Sequence, residues 1–367
     1  MKNKIAIIGA KGLPAQDGIS RVVEGYLPFL TDKYDFTVFC TNKYTSRKSG
    51  TYDGYREIVF KSVNSRLNTL LYYFKSTGKL LFGEKYDLVH FHHCDSSFLF
   101  PLIRLRYGKK LLVTTHGAFT PLNDKWKKFR LYFFLQYRVF LKFAPFLTGV
   151  SKNEVKRTRD ILKKKSIFTP NGINTDEPIS GIDVGTDYIF FAAGRIMALK
   201  GLHIMLSALH KINCKLPIVI AGDMSMAPNE FKDQIKDLSQ GLNIKYTGLI
   251  KDKSVLMKYI QSSKLFIFPS LAETMSMQLL EAASMKTPII ASDIQENRDI
   301  FNDDEVLFFK SNNADDLSAK IEYALTNMDD MKNRANKAYS HLISTYSWEK
   351  ISKGYDKIYN SILNECR

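Results

Sequence analysis

The stretch Tyr188-Ile-Phe-Phe-Ala-Ala-Gly194-Arg195-Ile-Met-Ala-Leu-Lys200-Gly201 reads as a strand, a turn and the start of a helix. Its apolar run, Tyr188–Ala192, shows no polar alternation, as expected of a strand covered by helices on both faces. The same unit recurs along the chain. Short runs rich in Ile, Val and Phe occur before it at Lys4–Ile8, Phe36–Cys40, Leu88–His92, Lys110–Thr115 and Phe146–Val150. After it come Leu216–Ala221, Ile244–Tyr246, Leu265–Phe268 and Thr287–Ala291, with helix-length segments in between. Strands alternating with helices build parallel sheets, so the pattern predicts an α/β chain of two doubly wound, Rossmann-like domains. Ligands are then expected at the carboxyl ends of the strands.

A chain of 367 residues with 45% apolar content has enough material for two cores. The turn signal Thr169-Pro-Asn-Gly-Ile-Asn174 marks the expected joint. It predicts domains over residues 1–170 and 171–347, with a helix over 348–367 returning to the first domain and residues 179–185 as a linker. In that last helix Trp348, Ile351, Tyr355, Ile358, Tyr359 and Ile362 recur at helical spacing and read as core. The four cysteines, Cys40, Cys94, Cys214 and Cys366, form no CxxC pair, which argues against a disulfide framework or zinc site and suits a reducing cytoplasm. The opening apolar patch is too short for a signal sequence and reads as a first buried strand. No apolar stretch is long enough to span a bilayer.

Charge is unevenly distributed. Residues 1–170 hold 31 Lys and Arg against 12 Asp and Glu, whereas residues 171–367 hold 22 against 25. The excess points to an anionic partner for the first half, either nucleic acid or an acidic membrane surface. No nucleic-acid signature accompanies it, so the membrane is the expected partner and nucleic acid is not. Lys125–Phe143 combines six basic residues with eight aromatics. A stripe through Trp126, Phe129, Phe133, Tyr137 and Phe140, with Lys128, Arg138 and Lys142 on another side, suits a helix lying in the lipid interface. The 61–82 segment and Lys163-Lys164-Lys165 extend that surface.

Two clusters carry the chemistry. Arg195 and Lys200 follow one apolar strand, and Glu273 and Glu281 follow another. A guanidinium and an ammonium suit a diphosphate, and carboxylates suit ribose and hexose hydroxyls. Glu281 lies between Leu279-Leu280 and Ala282-Ala283, so its carboxylate must be paired or engage hydroxyls. The helix start at Ser276 offers backbone N–H groups to phosphate. No DxD or other metal-ligand cluster follows a strand, so fixed cations are expected in place of a metal, and no cofactor is expected. His116 follows the strand at Leu111-Leu-Val, and Gly117 beside it permits close approach of a ligand. His92 and His93 stand at another strand end, open between an acceptor cleft and packing. Gly9-x-x-Gly12 is not a full dinucleotide fingerprint.

Taken in order, these segments resemble a known family. They are Ile5–Gly12 with Gly18, Thr115-His116-Gly117, Val150-Ser151, Thr169-Pro-Asn-Gly172, Ala193-Gly-Arg195 through Lys200-Gly201, Val219-Ile-Ala-Gly222, and Phe268-Pro-Ser270 through Glu281-Ala282. The chain resembles the retaining glycosyltransferases of family 4, whose GT-B fold sets two Rossmann-like domains facing across a cleft. Its opening resembles a subgroup that builds bacterial surface polysaccharide, including rhamnosyl and hexosyl transferases. The resemblance implies that Glu281 holds the nucleotide ribose, Glu273 lies beside the donor sugar, and His116 lies near donor sugar and acceptor. It implies that Gly18 lets backbone approach the donor phosphate, although Asp17-Gly18 stands where two glycines are usual. Thr274-Met275-Ser276 replaces a common Gly-Phe-Gly and retains its expected backbone contacts. Expected partners are a nucleotide-sugar, UDP-linked first, a saccharide or lipid-linked acceptor, and the inner face of the cytoplasmic membrane. The departing phosphate oxygen is expected to take the acceptor's proton. Rival readings are a nucleic-acid-binding module, a membrane-docked non-catalytic protein and a nucleotide-sugar epimerase.

Overall fold

A computed structural model describes residues 2–15, 17–63, 67–117, 130–174 and 176–366. The chain forms two compact units. One comprises residues 1–172 with 348–367, the other residues 173–347.

In the first unit, eight strands form one sheet: β1 (Asn3–Ile8), β2 (Tyr34–Thr41), β3 (Gly50–Tyr52), β4 (Tyr55–Phe60), β5 (Leu88–His92), β6 (Leu111–Thr115), β7 (Phe146–Gly149) and β8 (Ile167–Phe168). Their order is β3-β4-β2-β1-β5-β6-β7-β8, parallel except for the hairpin of β3 with β4. The strand order reverses between β1 and β5, the place where a doubly wound sheet opens a crevice beyond its carboxyl ends. Helices α1 (Gly18–Tyr26), α2 (Asn68–Phe82), α3 (Phe100–Tyr107), α4 (Arg130–Arg138) and α5 (Lys152–Leu162) connect the strands. One core joins Ile8, Phe39, Val89, Phe91 and Val113 of the sheet to Tyr72, Tyr73 and Leu80 of α2 and to Phe100 and Ile103 of α3.

In the second unit, β9 (Ile189–Arg195), β10 (Ile218–Asp223), β11 (Ile244–Gly248), β12 (Leu265–Phe268), β13 (Ile289–Ser292) and β14 (Leu307–Phe309) form a parallel sheet in the order β11-β10-β9-β12-β13-β14. Here the reversal falls between β9 and β12. The connecting helices are α6 (Leu202–Lys211), α7 (Asn229–Leu238), α8 (Lys253–Ser262), α9 (Met277–Ser284), α10 (Gln295–Arg298), α11 (Ala314–Thr326) and α12 (Met328–Tyr346). Residues 179–185, expected as a linker, lie inside this unit, where Ser180 N–H donates to Ser254 O at 3.2 Å.

The last helix, α13 (Trp348–Glu365), belongs to the first unit. Trp348, Ile351, Tyr355, Ile358, Tyr359 and Ile362 are all buried. The Trp348 ring presses on Gly25 of α1 so closely that a Cβ there would lie 2.1 Å from the indole.

The aromatic stripe expected to meet lipid is only partly described, since Trp126, Lys128 and Phe129 lie outside the described residues. Phe133, Tyr137 and Phe140 are half-buried, with Tyr137 against the sheet core. Outward on α4 stand Leu131, Phe134 and Leu135, with Val139 just after it, in their place. The sheet needs a cover on that side, and the larger rings provide it.

Candidate active site

In the second unit the two loops beside the sheet's reversal carry the predicted donor residues. β9 runs to Arg195, whose side chain is exposed at the strand end. The chain then turns tightly through residues 198–200, and Gly201 takes φ +73°, a left-handed conformation that favours glycine. A Cβ on Gly201 would lie 1.9 Å from the carbonyl oxygen of Pro269, so the turn after β9 packs directly on the loop after β12. Leu271 N–H donates to Leu199 O at 2.8 Å and fastens the same two loops. The consequence is an ion pair: Lys200 Nζ lies 2.5 Å from Glu273 Oε1. Both side chains are mostly covered, at 28% and 11% exposure, so the pair is held by its surroundings and is more than a surface bridge.

The loop after β12 ends at Ser276, the N-cap of α9. Ser276 makes no side-chain cap, which leaves the first N–H groups of α9 for another acceptor. Thr274 is half-buried, and Met275 and Ser276 are buried. Glu281, one turn into α9, is fully buried, among Leu279, Leu280, Ala282 and Ala283. Arg195, Lys200, Glu273 and Ser276 are thus gathered at one end of one sheet. Glu281 stands behind them on the helix that Ser276 starts.

In the first unit the loop after β1 and the end of β5 meet at the other reversal. Gly9, at φ +112°, passes so close to β5 that a Cβ would lie 1.9 Å from His92 O. Gly18 is the first residue of α1, with open space where a side chain would stand. The departure at Asp17 has a local reason: its Oδ1 accepts from Ile19 and Ser20 N–H at 3.0 Å each, capping α1. His116 leaves the end of β6, one strand beyond β5, and its Nε2 lies 3.2 Å from His92 Nδ1. Gly117 N–H donates to Glu154 Oε1 at 2.7 Å, while Ser151 caps α5 through Glu154 N–H at 3.1 Å. The motifs at 116–117 and 150–151 are therefore one piece of structure.

The sequence leaves His92 open, marks Tyr359 only as core, and gives no signal for Tyr26 or His90 as part of a site. All four are buried, and Tyr26 Oη lies 3.0 Å from His92 Nε2. Burial and neighbouring imidazoles hold His90, His92 and His116 well below the usual histidine range, so all three are neutral near pH 7. His93, with φ +99°, turns away and pairs with Asp95 at 2.9 Å. Burial raises the Asp95 carboxyl, but His93 outweighs it and the net shift is downward. Among the described residues no cluster of three or more His, Cys, Asp or Glu could hold a metal.

Two family models account for most of the chain. One described as Glycosyltransferase Family 4 matches residues 16–177, and one described as Glycosyl transferases group 1 matches residues 174–341. Each model matches a little under half of the chain; together they span both units, and the architecture is the GT-B fold. Among relatives, O-antigen chain mannosyltransferase C of Escherichia coli is 27% identical over 242 residues. That match covers 61% of this chain and only 61% of the relative's length. The UDP-Gal:alpha-D-GlcNAc-diphosphoundecaprenol alpha-1,3-galactosyltransferase of Escherichia coli is 25% identical over 328 residues, covering 80% of this chain and 81% of the relative. The solved sucrose-phosphate synthase of Thermosynechococcus elongatus has the same fold, with TM-score 0.83 at 17% identity over 99% of this chain and 100% of that one. In this GT-B frame the group 1 match spans the loops bearing Arg195, Lys200, Glu273 and Glu281, and the family 4 match spans Gly18 and His116.

Proposed function

We propose that this chain is a retaining, metal-independent glycosyltransferase of family 4. It moves a hexose or deoxyhexose from a nucleotide diphosphate sugar, UDP-linked first, to a saccharide or lipid-linked saccharide in bacterial surface polysaccharide synthesis. The observation that carries this reading is the Lys200–Glu273 pair at the strand-order reversal, with Arg195 and the uncapped start of α9 beside it. Support also comes from relatives, one named for O-antigen chain synthesis and one for a UDP-linked donor and a diphosphoundecaprenol acceptor.

In the proposed reaction the bond from C1 of the sugar to the diphosphate oxygen breaks, and its electron pair leaves with the diphosphate. The acceptor oxygen bonds to C1 on the same face, and its proton passes to the departing phosphate oxygen. Arg195, Lys200 and the α9 N–H groups meet the charge that develops there, a preorganised set that needs no water to reorient. Glu281 grips the ribose. Glu273 orients Lys200 and faces the sugar, and the backbone at Thr274, Met275 and Ser276 adds contacts. Gly18 lets backbone approach the donor phosphate, and His116 lies by sugar and acceptor.

The enzyme is proposed to work at the cytoplasmic face of an anionic membrane. Among the described residues no helix is long and apolar enough to cross a membrane. Support for contact comes from Leu102 and Leu105 on α3, Leu131, Phe134 and Leu135 on α4, and Val139 just after it, all exposed in a basic half-chain.

Purified protein is screened against UDP-, GDP- and dTDP-sugars by thermal shift, then assayed for transfer to lipid-linked acceptors. Arg195→Ala is expected to lower turnover on the order of a hundredfold, as does loss of one preorganised donor. Glu281→Gln, which preserves volume, is expected to raise donor KM by about tenfold or more, the loss of a hydrogen bond to a charged group. Unchanged kinetics in both variants would reject the site.

A further inference from the structure

We propose that Tyr26, His92 and Tyr359 are positioning residues that lock His116 as its Nδ1–H tautomer, through a buried chain of hydrogen bonds running in one direction. The inference rests on the reading that His116 faces the reacting sugar, and it goes beyond it by fixing which ring atom His116 offers.

The direction follows from counting protons. A hydroxyl has one proton to donate, and so has a neutral imidazole. The Tyr359 hydroxyl donates to Tyr26 Oη at 3.2 Å. Tyr26 must then spend its own proton on its one other hydrogen-bond partner among the described residues, His92 Nε2 at 3.0 Å. With Nε2 accepting, the single proton of neutral His92 sits on Nδ1, which faces His116 Nε2 at 3.2 Å. His116 Nε2 therefore accepts, and its proton is on Nδ1.

The chain extends equally far the other way. Tyr359 Oη, having donated, accepts from His90 Nδ1–H at 2.8 Å. His90 Nε2 then accepts from the Thr114 hydroxyl at 2.7 Å, and Thr114 Oγ1 from the Thr148 hydroxyl at 2.6 Å. The order is Thr148, Thr114, His90, Tyr359, Tyr26, His92, His116, with one proton at each link. From Thr148 to His92 every member is buried.

The fold assembles this chain from parts far apart in sequence. His90 and His92 are alternate residues of β5 and so lie on one face of the sheet, their ring centroids 4.1 Å apart. Thr114 and Thr148 come from the neighbouring strands β6 and β7, Tyr26 from α1 and Tyr359 from α13. Tyr355 of α13 stacks on Tyr26 at 4.2 Å and fixes that ring's plane. A proton added to any of the three imidazoles would set two N–H groups against each other or against a donating hydroxyl. The depressed basicity of all three agrees with that arrangement.

A locked, neutral His116 donates from Nδ1 to an oxygen of the sugar or acceptor and is no base at that atom. The C-terminal helix thereby reaches the site through Tyr359 without touching substrate.

Selective 15N-histidine labelling and long-range 1H–15N correlation, in protein without donor or acceptor, reads the tautomers directly. Expected for His90, His92 and His116 is the Nδ1–H form at pH 7.5, with peaks assigned through His→Gln variants. Tyr26→Phe keeps the ring stack and removes the proton given to His92. It is expected to turn His92 and His116 into tautomer mixtures and to lower kcat by about tenfold, with donor KM unchanged, the size of one lost hydrogen bond. Tyr359→Phe, farther from the site, repeats the test should Tyr26→Phe fold poorly. An Nε2–H form at His116 in the wild type overturns the proposal, and so do unaltered tautomers in both variants. Full transfer by His116→Ala would instead overturn the assigned role of His116, a result separable from the tautomer spectrum.

Discussion

A neutral imidazole held in a buried cluster links residue chemistry to stability. Unfolded histidine titrates near 6.5, whereas burial keeps folded His90, His92 and His116 neutral to lower pH. Just below about pH 6.5 the unfolded chain therefore binds more protons than the folded one, so stability rises with pH through that window and levels off above it. Each histidine contributes up to about 1.4 kcal/mol per pH unit there. Urea unfolding between pH 5.5 and 7.5, where ordinary carboxylates do not titrate, should show a stability loss on acidification. A flat profile would mean that the cluster takes up protons while folded. At the proposed donor site the decisive residue fact is the Lys200–Glu273 pair. The two side chains were legible as separate signals for phosphate and sugar, and their union depends on a contact between Gly201 and Pro269 that no local pattern encodes.

Elements of this chain are marked locally where burial is two-sided. The central strands β1, β2, β5, β6, β7, β9, β10, β12 and β13 appear in sequence as apolar runs, within a few residues of their observed ends. The short edge strands β3, β8 and β14 leave no run to detect, and β4, six residues between β3 and β2, is masked by Arg56 and Glu57 and by its half-buried face. β11 was read but is largely exposed, being the edge of its sheet. Helix α13 shows how an element can be identified without its neighbours being known. Its aromatic face announces burial, and Gly25 of α1 is what receives Trp348. Gly25→Ala gains roughly 1 kcal/mol of helix propensity and sets a methyl 2.1 Å from the indole. Overpacking, at about 1–3 kcal/mol, outweighs the gain. Chemical denaturation should give a lower midpoint at unchanged slope, and an unaltered or higher midpoint would show that the indole yields without cost.

For the whole molecule the uneven charge matters most. The first 170 residues carry the entire basic excess, 31 cationic side chains against 12 anionic ones. Exposed leucines on α3 and α4, and Phe134 on α4, accompany it. Each basic residue near an anionic surface contributes about 1 kcal/mol, and salt screens it over roughly 10 Å at 0.1 M. Co-sedimentation should therefore show binding to phosphatidylglycerol vesicles and not to phosphatidylcholine vesicles. Binding should weaken as salt rises, and further in Leu105→Ser with Phe134→Ser. Equal binding to both lipids, or none, would remove the membrane from the proposed function.

The sequence by itself determined that the chain is two series of strand, loop and helix, and which loops carry cations, carboxylates and a histidine. Those features are local, because strand burial and helix starts leave periodicity and spacing within a few residues. Only tertiary structure decided that β9 stands next to β12 and β1 next to β5, and so which loops share a crevice. It also decided which rings of α4 turn inward, Phe133 and Tyr137 being half-buried and Tyr137 packed on the sheet core, and that Tyr26, His92 and Tyr359 are hydrogen-bonded. The physical reason is that strand order is set by crossovers, and a hydrogen bond between residues 26 and 359 exists only once the last helix has packed on the first.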